Sequence, residues 1–233
     1  VVFYFCIAIF QKVPGYMDAE YYYSNAIGLS EKIIVEPFIW NYLGQPSRIE
    51  VPIFSYWMPF TSILAYLGLL LSKAPNFLFA RIPFIFSTGI IAVSSAYLAE
   101  KFIPGKRSGW ISGGLALFSG AYLPYLSITD TFLPFMTLGG LFFVLSYHIL
   151  NFNINSKKQY LYLFLLGFLI GLMHLTRSDG ILWLGAGILV IYYYAKQKQK
   201  AKKILRNFFK DSLVLFSGYL LPMIIWYIRN LFF

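Results

Sequence analysis

Charged residues are scarce in this chain of 233 residues. They make up 12% of the sequence, where soluble globular domains have about a quarter. Hydrophobic residues make up 59%, and the mean hydropathy is +0.66. This balance excludes an ordinary soluble domain. Because apolar runs long enough to cross a bilayer recur along the chain, the sequence predicts an all-α polytopic membrane protein.

Acidic residues and cysteines are also few. The nine acids are outnumbered by 19 lysines and arginines, which gives a net charge of +10. Seven of these basic residues lie between Lys196 and Lys210, between two apolar runs, where positive charge sets membrane orientation. The charge excess therefore indicates no nucleic-acid partner. The lone Cys6 excludes an internal disulfide and says nothing about the cellular compartment.

The sequence does not begin with Met, and its first apolar run, residues 1–11, is short. It has about half of the roughly 20 residues that a helical span needs. We expect an anchor helix here rather than a signal peptide. We also expect residues 1–233 to be the catalytic, N-terminal part of a longer protein.

The charges flanking the apolar runs predict how the chain crosses the membrane. The runs lie at 1–11, 58–72, 82–99, 109–128, 132–150, 160–175, 181–195 and 212–228. If all eight crossed and residues 12–57 lay outside, the lysine-rich loop 196–211 would also lie outside, against the positive-inside rule. If run 58–72 does not cross, 12 of the 19 basic residues share the inner side and seven of the nine acids lie outside.

We therefore predict seven spans and a first extracytoplasmic loop over residues 12–80, whose juxtamembrane helix covers 58–72. Eight spans with the N-terminus outside would also place the lysines inside. That alternative puts Asp18 and Asp130 on opposite faces of the membrane.

Four short motifs follow one another in a distinctive order. They are Asp18-Ala19-Glu20-Tyr21-Tyr22, Tyr56-Trp57-Met58-Pro59-Phe60, Arg81-Ile82-Pro83 and Thr129-Asp130-Thr131. In this order and spacing, nearly the whole chain resembles the GT-C membrane glycosyltransferases, in the branch of the protein O-mannosyltransferases and the lipid A aminoarabinose transferases. Aminoarabinose transferases carry Lys-Pro-Pro where this chain has Trp57-Met58-Pro59, so the resemblance does not specify that sugar.

The resemblance implies an enzyme that takes a sugar from a polyprenyl-phosphate donor and passes it to a lipid, glycan or protein acceptor. The reaction would occur on the outer face of the membrane, which we expect to be a prokaryotic plasma membrane. The family's first-loop acid falls on Asp18 and its second-loop acid on Asp130. Sugar transfer needs a base for the acceptor hydroxyl, and we predict Asp18 for this role, with Glu20 ranked second.

Asp130 has two predicted roles, which stay open. It could orient the acceptor, or it could hold a divalent metal ion together with Asp18. Carboxylate oxygens suit Mg²⁺ or Mn²⁺, but two carboxylates alone do not establish a metal, so no cofactor is certain.

The departing phosphate needs a cation at the depth of the lipid headgroups. Arg177 follows an apolar run and can offer a bidentate guanidinium, although arginines at such boundaries are often membrane anchors. Arg48 and Arg81 are alternatives. His174 and His148 lie within apolar runs, where we expect packed side chains rather than ligands.

Aromatic residues complete the predicted substrate site. Tyr22 lies one helical turn after Asp18 and would share its face of a helix. Tyr56 and Trp57 belong to the aromatic–proline motif that opens the juxtamembrane helix. All three are predicted to contact the substrate.

Two other functions stay open. The chain could be a multi-pass transporter, but inverted repeats and helices broken at the membrane midplane are not evident. It could also be a non-catalytic scaffold with the same fold. Loss of activity on changing Asp18 would separate the enzyme from the scaffold.

Overall fold

A computed structural model describes residues 1–36, 51–103, 105, 107–118, 120–151, 156–198 and 201–232. About 80% of the structure is helical. Within the described ranges there is no strand, only an isolated antiparallel bridge between Val35 and Pro52. The described α-helices are α1 (Val2–Phe10), α2 (Met17–Glu31), α3 (Phe60–Leu69), α4 (Phe77–Ala80), α5 (Ile82–Phe102), α6 (Ser108–Leu117), α7 (Phe132–Asn151), α8 (Ser156–Thr176), α9 (Trp183–Lys198) and α10 (Ala201–Phe232). The predicted all-α class is confirmed.

Five helical segments are long and apolar enough to cross a membrane. In the described part of the chain they are Phe77–Phe102, which combines α4 and α5, Phe132–Asn151, Lys157–Thr176, Ser178–Gln197 and Leu205–Phe232. These helices agree with an integral membrane protein. The prediction of seven spans is not confirmed.

The two remaining predicted spans form helices that are too short. Helix α1 has nine residues, about 14 Å at 1.5 Å per residue. In the run at 109–128, α6 ends at Leu117 and a 3₁₀ helix covers Gly120–Tyr125. Pro124 lies inside that 3₁₀ helix and has no backbone N–H to continue an α-helix.

The predicted juxtamembrane helix is present but shorter than expected. Helix α3 covers ten residues, about 15 Å, against roughly 30 Å of hydrocarbon in a bilayer. It therefore cannot cross alone, which agrees with the interpretation of run 58–72 as a segment that does not span.

Residues Val1–Thr137 form one compact unit. Its core takes residues from α1, α2, α3, α5 and the start of α7, among them Ala8, Ala26, Ala65, Phe84 and Leu133. Small alanines at several of these positions let the helices approach closely, so the short helices α1 and α3 are held by packing against longer ones.

Residues Leu138–Phe233 form a second unit, in which glycines bring α8 and α10 together. A Cβ atom added to Gly167 would lie 1.8 Å from the backbone oxygen of Leu215, and one added to Gly218 would lie 2.0 Å from that of Phe164. No side chain fits at such distances. Close helix contact through small residues is a common way of packing helices in membranes.

We expect Gly167→Ala to destabilise this unit by about 1–3 kcal/mol, the usual cost of overpacking a well-packed interface. The matched control is Gly185→Ala in α9, where an added Cβ meets nothing within 4 Å. Thermal unfolding of the purified protein in detergent should show a lower Tm for Gly167→Ala only. Equal Tm values for the two variants would contradict the packing described here.

Candidate functional site

The first acidic motif, Asp18-Ala19-Glu20-Tyr21-Tyr22, lies at the beginning of α2. Gly15, at φ +96°, allows the chain to turn after α1, and Tyr16 enters the helix in an extended conformation. Asp18 and Glu20 therefore lie in the first turn of α2, where the helix dipole favours negative charge. Helix α2 also places Tyr22 one turn after Asp18, as the spacing predicts.

The second acidic motif, Thr129-Asp130-Thr131, contacts the first turn of α2. The Thr129 hydroxyl donates a hydrogen bond of 2.7 Å to the backbone oxygen of Ala19, across 110 residues of sequence. Ile128 packs with Ala19 and Phe77 in a small apolar cluster. The neighbours of Asp18 and Asp130 are therefore in direct contact, which the sequence prediction required but could not demonstrate.

The three predicted acids have different surroundings. Asp18 is half-buried, and no hydrogen bond to its carboxylate occurs among the described residues. Glu20 is also half-buried and accepts a long hydrogen bond of 3.4 Å from the Ser24 hydroxyl. Asp130 is only 1% exposed, and its Oδ1 accepts hydrogen bonds from the backbone N–H and hydroxyl of Thr131. Asp18 is thus the more accessible carboxylate, and Asp130 is the more rigidly held.

Aromatic rings pack together next to the first turn of α2. The Trp57 ring lies 4.5 Å from that of Tyr21 and 6.4 Å from that of Tyr22, measured between centroids. Tyr22 is buried, and Trp57 is half-buried. Tyr56 is 43% exposed, with its ring 6.5 Å from Trp57. Predicted substrate residues from two distant motifs therefore form one aromatic cluster, Tyr21, Tyr22, Tyr56 and Trp57.

Arg81 holds α1 in place. It is 1% exposed, and its guanidinium donates to the backbone oxygens of Ala8 and Gln11 and to the Gln11 side chain. It also lies 4.1 Å over the Phe77 ring. Carbonyl groups at a helix C-terminus have no partner within the helix, and Arg81 supplies one. This role accounts for its charge without a bound phosphate.

Arg177 lies in the second unit, directly after α8. Its Nε and Nη2 donate to the two carboxylate oxygens of Asp179 at 3.1 and 3.2 Å. The side chains are 39% and 52% exposed, and exposed ion pairs of this kind contribute little to stability. A phosphate could therefore replace Asp179 at low cost. Arg48, the other predicted alternative, lies outside the described residues.

Both histidines pack against tyrosines, as expected. His174 Nδ1 lies 2.9 Å from the Tyr219 hydroxyl, with the two rings nearly parallel. His148 lies edge-on to Tyr147 and Tyr162.

No group of three or more His, Cys, Asp or Glu side chains that could hold a metal ion occurs among the described residues. The predicted metal site at Asp18 and Asp130 would need further ligands of another kind, such as water or substrate oxygens. It stays a prediction.

Sequence reasoning gave no role to two buried carboxylates. Glu36 is 4% exposed and bonds to Tyr21. Asp211 is 2% exposed and accepts a hydrogen bond from Gln159, which in turn accepts one from Tyr194. In the sequence, each of these carboxylates is visible only as an acid close to apolar residues. The side chains that hydrogen-bond to it come from distant positions, which the sequence does not reveal.

Comparisons with protein-family models, with curated proteins and with solved structures find no match for this chain. The support for a functional proposal therefore comes from the sequence motifs and from the geometry of the residues described above.

We expect Thr129→Val to weaken the contact between the two acidic motifs. Valine keeps the shape of threonine but loses the hydrogen bond to Ala19, which costs about 1 kcal/mol. Hydrogen–deuterium exchange should increase in peptides covering residues 16–23 and 127–131. The matched control is Thr88→Val, since Thr88 is equally buried but bonds to Ile85 within its own helix. Unchanged exchange at both peptides in Thr129→Val would contradict this contact.

Proposed function

We propose that this chain is the catalytic part of a membrane glycosyltransferase. It transfers a sugar from a polyprenyl-phosphate donor to a lipid, glycan or protein acceptor at the extracytoplasmic face of a prokaryotic plasma membrane. The five apolar helices support the membrane location, and the order of the motifs supports the reaction.

One observation carries the proposal, namely the hydrogen bond from Thr129 to Ala19. It joins the two acidic motifs that the resemblance assigns to the active site. The two motifs come from positions 110 residues apart in the sequence. Acids beside apolar segments are costly in a membrane protein and are functional candidates by default.

The surroundings of the two aspartates fit different roles. Asp18 is accessible and accepts the proton of the acceptor hydroxyl. At the same time the oxygen of that hydroxyl forms a bond to the anomeric carbon of the sugar. The bond between that carbon and the donor phosphate breaks, and polyprenyl phosphate leaves. Asp130 is held by Thr131 and orients the acceptor or, with Asp18, a metal ion. Glu20 is the second candidate for the base.

The aromatic cluster, in the first unit, is a candidate for binding the donor sugar. Arg177, in the second unit, is a separate candidate for binding a phosphate. Tyr56 is exposed and Trp57 is half-buried, so their rings can stack against a sugar. Tyr22 is buried, so its predicted role in direct substrate contact becomes support of the Trp57 ring. Arg177 can exchange Asp179 for the donor phosphate, because a guanidinium binds carboxylate and phosphate oxygens with the same bidentate geometry.

We expect Asp18→Asn to lower kcat by about a hundred- to ten-thousand-fold, the usual effect of losing a general base. Asparagine is nearly isosteric, so folding and donor affinity should change little. The measurement is transfer of a radiolabelled sugar from a polyprenyl-phosphate donor by the full-length protein. Glu31→Gln, which removes an exposed acid at the other end of α2, is the control and should keep the native kcat.

Near-native transfer by Asp18→Asn would refute the assignment and make Glu20 the next residue to change. Asp130→Asn should reduce kcat less if Asp130 only orients the acceptor. A loss as large as that of Asp18→Asn, together with inactivation by EDTA, would indicate a shared metal. Solute flux through proteoliposomes that depends on Asp18, without any transfer, would favour the transporter.

We expect Arg177→Ala to raise the donor KM about tenfold or more, since one charge-assisted hydrogen bond contributes about 1.5–3 kcal/mol. Arg177→Lys keeps the charge but loses the bidentate geometry, so its KM should lie between those of Arg177→Ala and the native protein. Arg107→Ala, at another exposed arginine, is the control. Native kinetic constants in Arg177→Ala would leave Arg177 as a membrane anchor only.

A further inference from the structure

Glu36 is a carboxylate buried at the edge of the proposed site. It is 4% exposed, and no ion pair to it occurs among the described residues. Its Oε1 accepts two short hydrogen bonds of 2.6 Å, one from the Tyr21 hydroxyl and one from the backbone N–H of Ser55. Its Oε2 is buried without a hydrogen-bond partner in the described structure. Burying a carboxylate is energetically unfavourable unless other contacts compensate, so the contacts of Glu36 indicate what its burial achieves.

Tyr21 is the first anchor of Glu36. It is fully buried in α2. Burial raises the pKa of the Tyr21 phenol well above its ordinary value, and the hydrogen bond to Glu36 is the second largest cause of this increase. The phenol therefore stays protonated at neutral pH and acts as a constant donor to the carboxylate.

The second anchor is the segment 51–57. The backbone N–H of Glu36 donates to Val51, and that of Ile53 donates to Ile34, each at 2.8 Å. This pairing is an isolated bridge, too short to be stable by itself. The Glu36 carboxylate extends the contact to Ser55 and ties the segment to α2 through Tyr21.

Trp57 follows Ser55 by two residues. Its ring lies against Tyr21 and reaches Tyr22, which is one helical turn from Asp18. The link from Glu36 to the proposed reaction centre therefore runs through Tyr21 and Trp57, without direct contact between Glu36 and the substrate.

We propose that Glu36 is a positioning residue, whose carboxylate fixes Trp57 beside Tyr22 and thereby shapes the surface on which the donor sugar binds. This inference rests on the proposed function and deepens it. It assigns Glu36 to donor binding and leaves proton transfer to Asp18.

The two anchors need an acceptor at Oε1 and do not need the negative charge. Glu36→Gln keeps an oxygen that accepts both hydrogen bonds, and its amide nitrogen takes the place of the unpartnered Oε2. Glu36→Ala removes the acceptor altogether. Tyr21→Phe removes one of the two donors while keeping the ring beside Trp57.

The experiment measures donor KM and kcat for the full-length protein with a polyprenyl-phosphate sugar. Glu36→Ala should raise KM about tenfold or more and change kcat less than threefold. Tyr21→Phe should raise KM to a smaller extent, and Glu36→Gln should stay within about threefold of the native KM. Glu31→Ala, the exposed acid on α2, should match the native protein.

A second readout is independent of catalysis. In a Cys6→Ser background, maleimide labelling of Ile53→Cys, at a buried position of the same segment, should become several-fold faster when Glu36→Ala is added, and it should stay unchanged with Glu36→Gln. Unchanged labelling in both variants would overturn the proposal. So would a native KM in Glu36→Ala, or a Glu36→Gln variant as impaired as Glu36→Ala. If Glu36→Ala fails to fold, the donor KM of Glu36→Gln is compared with that of Tyr21→Phe. The proposal expects a near-native KM for Glu36→Gln and a raised KM for Tyr21→Phe.

Failure of the two proposals can be distinguished. If the protein transfers sugar and Asp18→Asn abolishes the transfer while Glu36→Ala keeps the native KM, only the role of Glu36 is wrong. If Asp18→Asn keeps native transfer, the proposed function is wrong whatever Glu36 does.

Discussion

The hydrogen bond from the Thr129 hydroxyl to the Ala19 carbonyl is the contact on which the proposed site depends. Both residues are fully buried, so the bond is shielded from water and the acidic motifs are held in one arrangement. Without it, Asp18 would be an acid at a helix start and Asp130 an acid before another helix, each with an ordinary electrostatic explanation. The contact between their neighbours Ala19 and Thr129 is the physical support for a shared function.

Two further buried polar groups organise the surroundings of this contact. Arg81 binds the end of α1 and thereby fixes the point from which the chain turns toward Asp18. Glu36 binds the segment that carries Trp57. In both cases a charged group is buried because it satisfies backbone groups that would otherwise lack partners. The first unit thus uses its few buried charges to hold short helices and loops, while the second unit brings two long helices together through glycines.

The sequence predicted the features that depend on local pattern. Composition gave the helical class, the Asp18–Tyr22 spacing gave their shared helix, and the length of run 58–72 indicated a segment that does not cross. Local pattern does not predict tertiary contacts or a break within an apolar run. The run at 109–128 contains no charged residue, yet its second half includes a 3₁₀ helix with Pro124 inside it. Arg81 was considered for phosphate binding because its charge is visible in the sequence, whereas the carbonyl groups around it are not.

The contact between the two acidic motifs can be measured directly. Tyr16 immediately precedes α2, and its ring lies 5.6 Å from that of Tyr125, just before the second motif. A photoreactive benzoyl-phenylalanine in place of Tyr16 in the full-length protein, irradiated in membranes and mapped by mass spectrometry, should cross-link to the peptide covering residues 122–132. Cross-links confined to lipid or to residues 138–232 would contradict the account, because the two acidic motifs would then not share a site.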